Sequence, residues 1–235
     1  LYLDSHGEFY FHRYFLHRCI FPFLRSLYKA HHCIHHPITN IVWRKTRGGK
    51  NVPFLEEGNA SFVVAQNNFP ITKKEQNEAA FFPWYSLLVF GGIAALLLAL
   101  PQWLMPTFPW ILTGFGTMFV ALTVYEVFHA MLHWPFERWE PLFEHPRWGK
   151  LFLWLYGVHV RHHVSSKCNL GIFAVLFGYH PDRLAGTYVE PTVLYRVGEK
   201  LSIEDVQVPK PRWFIRLLDR LADRMEFKMP ARAGQ

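Results

Sequence analysis

The chain has 235 residues, of which 51% are hydrophobic and 17% aromatic, enough for one domain with a sizeable core. The net charge of +7 is scattered beside long apolar runs, which argues against a nucleic-acid-binding stripe and favours contact with anionic lipid headgroups. The three cysteines lack a paired spacing, which argues against a disulfide framework and against a thiolate zinc site.

Two groups of histidines occupy the start of the chain. His12 and His17 are spaced as HxxxxH, and His32, His35 and His36 are spaced as HxxHH. In a helix, spacings of three and four residues bring side chains onto one face, so HxxHH presents three imidazoles that together can bind a metal. We expect four other histidines to be ordinary hydrogen-bonded residues: His6, His31, His145 and His180.

Residues 37–80 form a polar insertion between these histidines and the apolar part of the chain. The insertion contains Gly48-Gly49, and its Val-rich and Phe-rich pieces predict a small hairpin or lid. We expect it on the cytosolic side of a membrane.

Two apolar stretches follow, residues 84–103 and 110–129, each about 20 residues long, which is the length of a transmembrane helix. Lys and Arg are absent from the turn at 104–109 and frequent outside it, so the positive-inside rule predicts that both outer ends of the hairpin lie in the cytosol. A buried hairpin in a soluble protein is the disfavoured alternative at this length and polarity.

Two more histidine groups follow the hairpin, HxxxH at His129 and His133 and HxxHH at His159, His162 and His163. The histidine content predicts only about 0.05 copies of HxxHH by chance, whereas two occur. All four groups are expected at the same membrane face. Neutral nitrogen ligands suit iron, copper, nickel or zinc rather than calcium or magnesium. Ten such ligands are more than one four-coordinate zinc ion needs, so the sequence predicts two metal ions.

Near the end of the chain, residues 212–227 predict an amphipathic helix at the membrane interface, with Leu217, Leu218, Leu221 and Met225 on one face. The predicted fold class is therefore all-α. It is a single integral-membrane helical domain over residues 1–235, with a transmembrane hairpin and a cytosolic helical cap that carries four histidine boxes.

The boxes and the hairpin resemble the fatty acid hydroxylase (sterol desaturase) superfamily, most closely its fatty acid 2-hydroxylase branch. The resemblance runs from about residue 8 to residue 188 and includes Glu8 before His12, Tyr125-Glu126 before His129, Asn169-x-Gly171, and Asp182 before Gly186-Thr187-Tyr188. The chain departs from the family in the long 37–80 insertion and in having no cytochrome b5 domain. It also departs from the family in that any membrane hairpin before the first box is missing from the sequence, and we expect an upstream piece before Leu1.

The resemblance implies that the ten box histidines hold two iron ions, for which zinc can substitute in a purified sample. It implies that both irons draw ligands from every box and that each HxxHH divides its imidazoles between them. One such partition gives the first iron His12, His32, His35, His129 and His159, and the second iron His17, His36, His133, His162 and His163. Supporting roles fall to Glu8, Glu126, Asn169 and Asp182, the two glutamates as acceptors of hydrogen bonds from ligand imidazoles.

The implied activity is O2-dependent hydroxylation of an unactivated C–H bond in a lipid, in a fatty acyl or sphingolipid chain. Such a bond offers neither an acidic proton nor an electrophile, so the chemistry needs an oxygen-activating metal. The chain has no dinucleotide, flavin or iron–sulfur motif, so cytochrome b5, a ferredoxin or a reductase is expected to supply electrons. The expected location is the endoplasmic reticulum membrane in a eukaryote or the inner membrane in a bacterium.

Ligand spacing leaves a lipid desaturase open as an alternative. A carotenoid or sterol hydroxylase with the same di-iron site is a further alternative. The third box of the carotenoid enzymes resembles HxxxxH, however, whereas this chain has HxxxH. The non-enzymatic alternative is a metal transporter or a metal-binding membrane protein. A transporter would need histidines within the spans, and none lies between Trp84 and Phe128.

Overall fold

The computed structural model describes residues 2–45, 60–67, 81–134, 136–172, 176–190, 195–197 and 208–227. Helix α1 (Tyr2–Phe11) continues directly into a first π-helix (His12–Leu16), and a 3-10 turn (Pro22–Leu24) leads into α2 (Arg25–Ala30). A second π-helix (His31–His35) and the short α3 (His36–Ile38) follow. The first two histidine boxes therefore lie on helical segments whose backbone bonds join residues five apart.

Helices α4 (Ser86–Leu104) and α5 (Trp110–Leu132) form the predicted hairpin, and both are long and apolar enough to cross a membrane. At Gly114 a side chain would collide with Leu98, so the glycine allows the two helices to approach closely. Many of their apolar side chains are exposed, with Leu96 80% and Leu112 74% accessible. Such exposure is unfavourable in water and favourable in lipid, which argues against the buried soluble hairpin.

A small antiparallel sheet accompanies the helices. Strand β1 (Thr39–Lys45) pairs along its whole length with β2 (Ala60–Asn67), from Thr39 opposite Asn67 to Lys45 opposite Ser61. Strand β3 (Tyr195–Val197) adds to the free edge of β2. The hairpin expected within residues 37–80 is present, and it adds a small sheet to a chain whose described residues are mostly helical, because β-branched and aromatic residues favour strands wherever a partner strand is within reach. Residues 46–59 and 68–80 of the insertion lie outside the described residues.

Three helices after the hairpin build the body around the site: α6 (Phe136–Phe143), α7 (Gly149–Val164) and α8 (His180–Ala185). Aromatic and aliphatic side chains of α5, α6 and α7 pack with Ile172 into one buried cluster, made of Tyr125, Leu132, Trp139, Phe143, Leu153, Tyr156, Val160 and Ile172. This cluster joins the end of the hairpin to the helix that carries the fourth histidine box.

Helix α9 (Trp213–Met225) is the amphipathic helix predicted at residues 212–227. It buries Ile215 and Ala222 and leaves Leu217, Leu221 and Met225 exposed. Asp219 on its inner side accepts two hydrogen bonds from the Arg13 guanidinium, at 3.0 and 2.8 Å. Because Arg13 follows His12 in the chain, this ion pair fixes the first π-helix against α9.

Candidate metal centre

The structure gathers ten histidines into two compact groups. Within each group every residue offers a ring nitrogen that lies within 4.8 Å of the others. Group A contains His12, His17, His31, His36 and His162, and group B contains His35, His129, His133, His159 and His163. Residues from both flanks of the hairpin therefore converge at one place.

Group A depends on the two π-helices. In an α-helix, residues five apart differ by about 140° around the axis and cannot share a site. An i→i+5 turn places them one above the other. The amide of His17 donates to the His12 carbonyl at 3.2 Å, and the amide of His36 bonds the His31 carbonyl in the same way. Each π-helix thus delivers a pair of imidazoles to group A.

The second box differs from its prediction. His31, expected to be an ordinary histidine, lies in group A, whereas His32, the predicted ligand, lies outside both groups. With α-helical spacing, HxxHH would place His32 on the same face as His36. The π-helix instead brings His31, one residue earlier, onto the face that points to group A. A signal for this was present in the sequence, because His31 and His36 repeat the HxxxxH spacing of His12 and His17.

Group B uses ordinary α-helical spacing. His129 and His133 are one turn apart at the end of α5, and His159 and His163 are one turn apart in α7. The Nε2 atom of His159 lies 2.8 Å from Nε2 of His133 and 3.1 Å from Nε2 of His163. His35 completes the group, and its ring centroid is 4.5 Å from that of His133.

The two groups adjoin, and they divide the boxes differently from the predicted partition. The rings of His36 in group A and His163 in group B stack with centroids 4.4 Å apart. The second and fourth boxes are divided between the groups, as predicted for each HxxHH. The first box belongs wholly to group A and the third wholly to group B, whereas the expectation was that every box supplies ligands to both metals.

Backbone carbonyls fix the orientation of two imidazoles in group A. Nδ1–H of His12 donates to the Leu170 carbonyl, and Nδ1–H of His162 donates to the Cys168 carbonyl at 2.9 Å. A carbonyl oxygen can only accept, so Nδ1 carries the proton and Nε2 keeps its lone pair. Both acceptors lie on the loop after the fourth box, which therefore selects the tautomer whose Nε2 could bind a metal.

Asp182 holds that loop in place. The buried carboxylate accepts hydrogen bonds from the Leu170 amide at 3.0 Å, the Gly171 amide at 3.1 Å and the Thr187 hydroxyl at 2.9 Å. Asp182 therefore holds the Leu170–Gly171 peptide, whose carbonyl accepts from His12, and its supporting role toward a metal stays a prediction.

The other three predicted supporting residues tie backbone segments around the site. Glu8 accepts a hydrogen bond from the Ile172 amide at 2.6 Å, and Glu126 accepts one from the Phe82 amide at 3.0 Å. Asn169 has φ 51° and pairs with Val189, whose amide donates to its side-chain oxygen at 2.8 Å. The role of the two glutamates as acceptors from ligand imidazoles stays a prediction.

Besides His32, three histidines lie outside both groups, and these three were expected from the sequence to be ordinary histidines. His145 accepts from the amides of Arg147 and Trp148, which begin the turn into α7. His180 shares a hydrogen bond of 2.7 Å with the Tyr2 hydroxyl, and His6 packs edge-on against both of these rings.

Burial keeps the clustered imidazoles neutral. It lowers the pKa of His12, His31 and His35 well below the usual value, and neighbouring imidazoles lower it further. It lowers the pKa of His162 to about 4, although the hydrogen bond to Cys168 acts in the opposite direction. Near neutral pH the side chains therefore offer lone pairs, which is the form that binds metals.

The nitrogen positions fit metal ions better than a network of hydrogen bonds. Nε2 of His31 lies 2.9 Å from Nε2 of His12 and 3.3 Å from Nε2 of His36, yet one nitrogen carries at most one proton. Nε2 of His35 is buried without a hydrogen-bond partner among the described residues. Two nitrogens bound at about 2.0–2.1 Å to one metal lie about 2.9 to 3.4 Å apart, which matches these spacings. Each group can hold one metal ion.

An apolar cavity of about 720 Å³ lies between α1 and the hairpin. One face of α5 lines it, at intervals of three and four residues from Trp110 to Tyr125, which is about 22 Å of helix. At its inner end the cavity reaches His12, a member of group A, and Tyr125, whose ring lies 5.5 Å from that of His129 in group B. The volume of the cavity and the length of its lining are enough for an alkyl chain with one end beside the histidines.

Comparison with protein-family models, curated proteins and solved structures finds no match for this chain. The family resemblance therefore rests on the histidine boxes, the hairpin and the neighbouring residues of the sequence, and membership of the family remains a prediction.

Proposed function

We propose that the chain is a membrane-embedded di-iron oxygenase that uses O2 to hydroxylate an unactivated C–H bond in the acyl chain of a lipid. The observation that carries this proposal is the position of two adjoining five-histidine groups at the end of an apolar cavity. A soluble zinc enzyme needs neither the second group nor the cavity, since one zinc ion is held by three or four protein ligands.

The site residues perform distinct tasks in this proposal. Groups A and B each hold one iron through neutral imidazoles, and the Leu170 and Cys168 carbonyls keep the group A rings in the binding tautomer. When bound, the two irons supply the redox chemistry that activates O2 against a C–H bond. The protein provides the orientation of the ligands and a dry environment around them.

The cavity explains how the protein selects a carbon atom. Apolar side chains of α1, α4 and α5 make up most of its walls, so they bind methylene groups mainly through burial, at about 0.8 kcal/mol for each methylene. Contact along about 22 Å holds the chain in one register. The carbon next to His12 and Tyr125 is then the one presented to the metals.

The membrane setting supports the same activity. The hairpin presents exposed leucines to lipid, and the histidine groups lie at its outer end, where Lys and Arg are frequent in the sequence. By the positive-inside rule this end faces the cytosol, which gives access to cytosolic electron donors. The net charge of +7 favours an acidic donor such as cytochrome b5 or a ferredoxin.

The test is a labelling experiment on the protein in lipid nanodiscs. We expect two irons per chain after loading with Fe(II). With a reductant, 18O2 and a mixture of lipids, we expect an acyl lipid that gains one 18O atom. The control variant His145→Ala should retain both irons and the product. An unlabelled lipid with a new double bond would identify a desaturase instead, and iron binding without lipid oxidation would refute the proposed activity.

A further inference from the structure

His32 and His31 are adjacent in the sequence but occupy different positions relative to the metal centre. Nε2 of His17 faces group A, 3.3 Å from Nε2 of His162. The opposite nitrogen of the same ring, Nδ1, lies 3.1 Å from Nδ1 of His32. His32 therefore contacts the outer side of the His17 ring, away from the ligand atoms of the group.

This contact completes a pattern within group A. The outer nitrogen of His12 is bound by the Leu170 carbonyl and that of His162 by the Cys168 carbonyl. For His17 the corresponding position is occupied by His32. A histidine nitrogen with a lone pair can accept a hydrogen bond from Nδ1–H of His17, which leaves the lone pair of His17 Nε2 available for a metal.

The surroundings of His32 fit such a role. Its ring stacks on Tyr28, one turn earlier, with centroids 5.3 Å apart and planes 25° apart. This packing fixes the ring plane. His32 is only half-buried, whereas His31 is 6% exposed and lies within 3.3 Å of two other imidazole nitrogens of group A.

We propose that His31 replaces His32 as the third metal ligand of the second box, beside His35 and His36, and that His32 is a positioning residue that orients His17 from outside group A. The inference rests on the proposed metal centre and reverses the roles that the HxxHH spacing assigns to these two residues. The physical cause is the second π-helix, which turns His31 and His36 inward together and leaves His32 beside the outer edge of His17.

The test compares variants of the two adjacent histidines in the full chain, purified in detergent and loaded with Co(II). The bound cobalt is counted per chain, and its absorption spectrum reports the geometry of the ligands. We expect two cobalt ions in the wild type and one in His31→Ala. His32→Ala should keep two, with one ion bound about 10- to 100-fold more weakly and with a shifted spectrum.

A conservative variant separates positioning from loss of packing. In His32→Asn the side-chain Oδ1 occupies nearly the place of the histidine Nδ1, so it can accept from His17 and should restore wild-type cobalt affinity and spectrum. The inference is overturned if His32→Ala loses one cobalt while His31→Ala keeps two. It is equally overturned if His32→Ala matches the wild type in both affinity and spectrum. These outcomes depend on the His32 variants even if His31→Ala fails to fold.

Failure of the metal centre itself has a different signature. A folded wild-type protein that binds no cobalt in either group would overturn the di-metal proposal together with this inference. A wild type with two cobalt ions and reversed variant phenotypes would overturn only the assignment of His31 and His32.

Discussion

The proposed activity predicts that shortening the apolar cavity changes which acyl chains the protein accepts. Thr117 lies on the cavity-lining face of α5, eight residues before Tyr125 at the metal end and seven after Trp110 at the far end. The substitution Thr117→Phe fills the cavity at that level. It leaves about 12 Å of the original length of about 22 Å next to the histidine groups.

The magnitude follows from the length of an alkyl chain. A C–C bond of about 1.5 Å gives about 1.3 Å of extension per methylene, so the intact cavity holds about 17 carbons and the shortened one about nine. Each methylene that no longer fits in the cavity loses about 0.8 kcal/mol of favourable burial free energy. Three excess methylenes therefore lower kcat/KM about 50-fold.

The assay measures kcat/KM for a series of acyl chains from eight to eighteen carbons, with the protein in nanodiscs. We expect Thr117→Phe to lose activity on the longest chains and to retain it on chains of about nine carbons. Leu96→Phe is the matched control, because Leu96 is 80% exposed on α4 and does not line the cavity. An unchanged chain-length profile in Thr117→Phe, with activity intact, would refute the assignment of the cavity to the acyl chain.

Three further predictions concern the metal centre. His35→Ala should reduce bound iron from two to one per chain by elemental analysis, because a group B nitrogen is removed, while His145→Ala should leave two. In the metal-free protein, lowering the pH should destabilise the fold. The pKa of His162 is about 4 in the folded chain and 6.5 in the unfolded chain, so the unfolded chain binds a proton first as the pH falls. Proton binding therefore favours the unfolded chain. Stability should fall by about 3 kcal/mol between pH 6.5 and 4 from this group alone, and Tm measured against pH should fall less steeply in His162→Ala. Asp182→Asn replaces one acceptor of the loop amides, so it should lower the unfolding free energy by about 1.5–3 kcal/mol and the metal affinity by about 10- to 100-fold. The control Asp223→Asn removes an exposed ion pair and should lower the unfolding free energy by less than about 1 kcal/mol. Equal effects of the two substitutions would contradict the role of Asp182.

Features with a local cause were predictable from the sequence. The apolar stretches 84–103 and 110–129 predicted helices that the structure places at Ser86–Leu104 and Trp110–Leu132. The amphipathic pattern at 212–227 likewise predicted α9. Hydrophobic periodicity and length act within one segment, so these elements need no knowledge of their neighbours. The histidine spacings were informative in the same way, and nine of the ten predicted ligands lie in the two groups.

Only the tertiary structure decided which histidines meet. The exchange of His32 for His31 depends on a π-helix, whose register is fixed by the packing of the chain around the site. The division of the boxes between groups A and B depends on contacts between helices far apart in the sequence. The small sheet likewise depends on pairing between β1, β2 and the distant β3. A sequence pattern specifies the face of one segment, whereas the neighbour of that face is selected by packing over the whole chain.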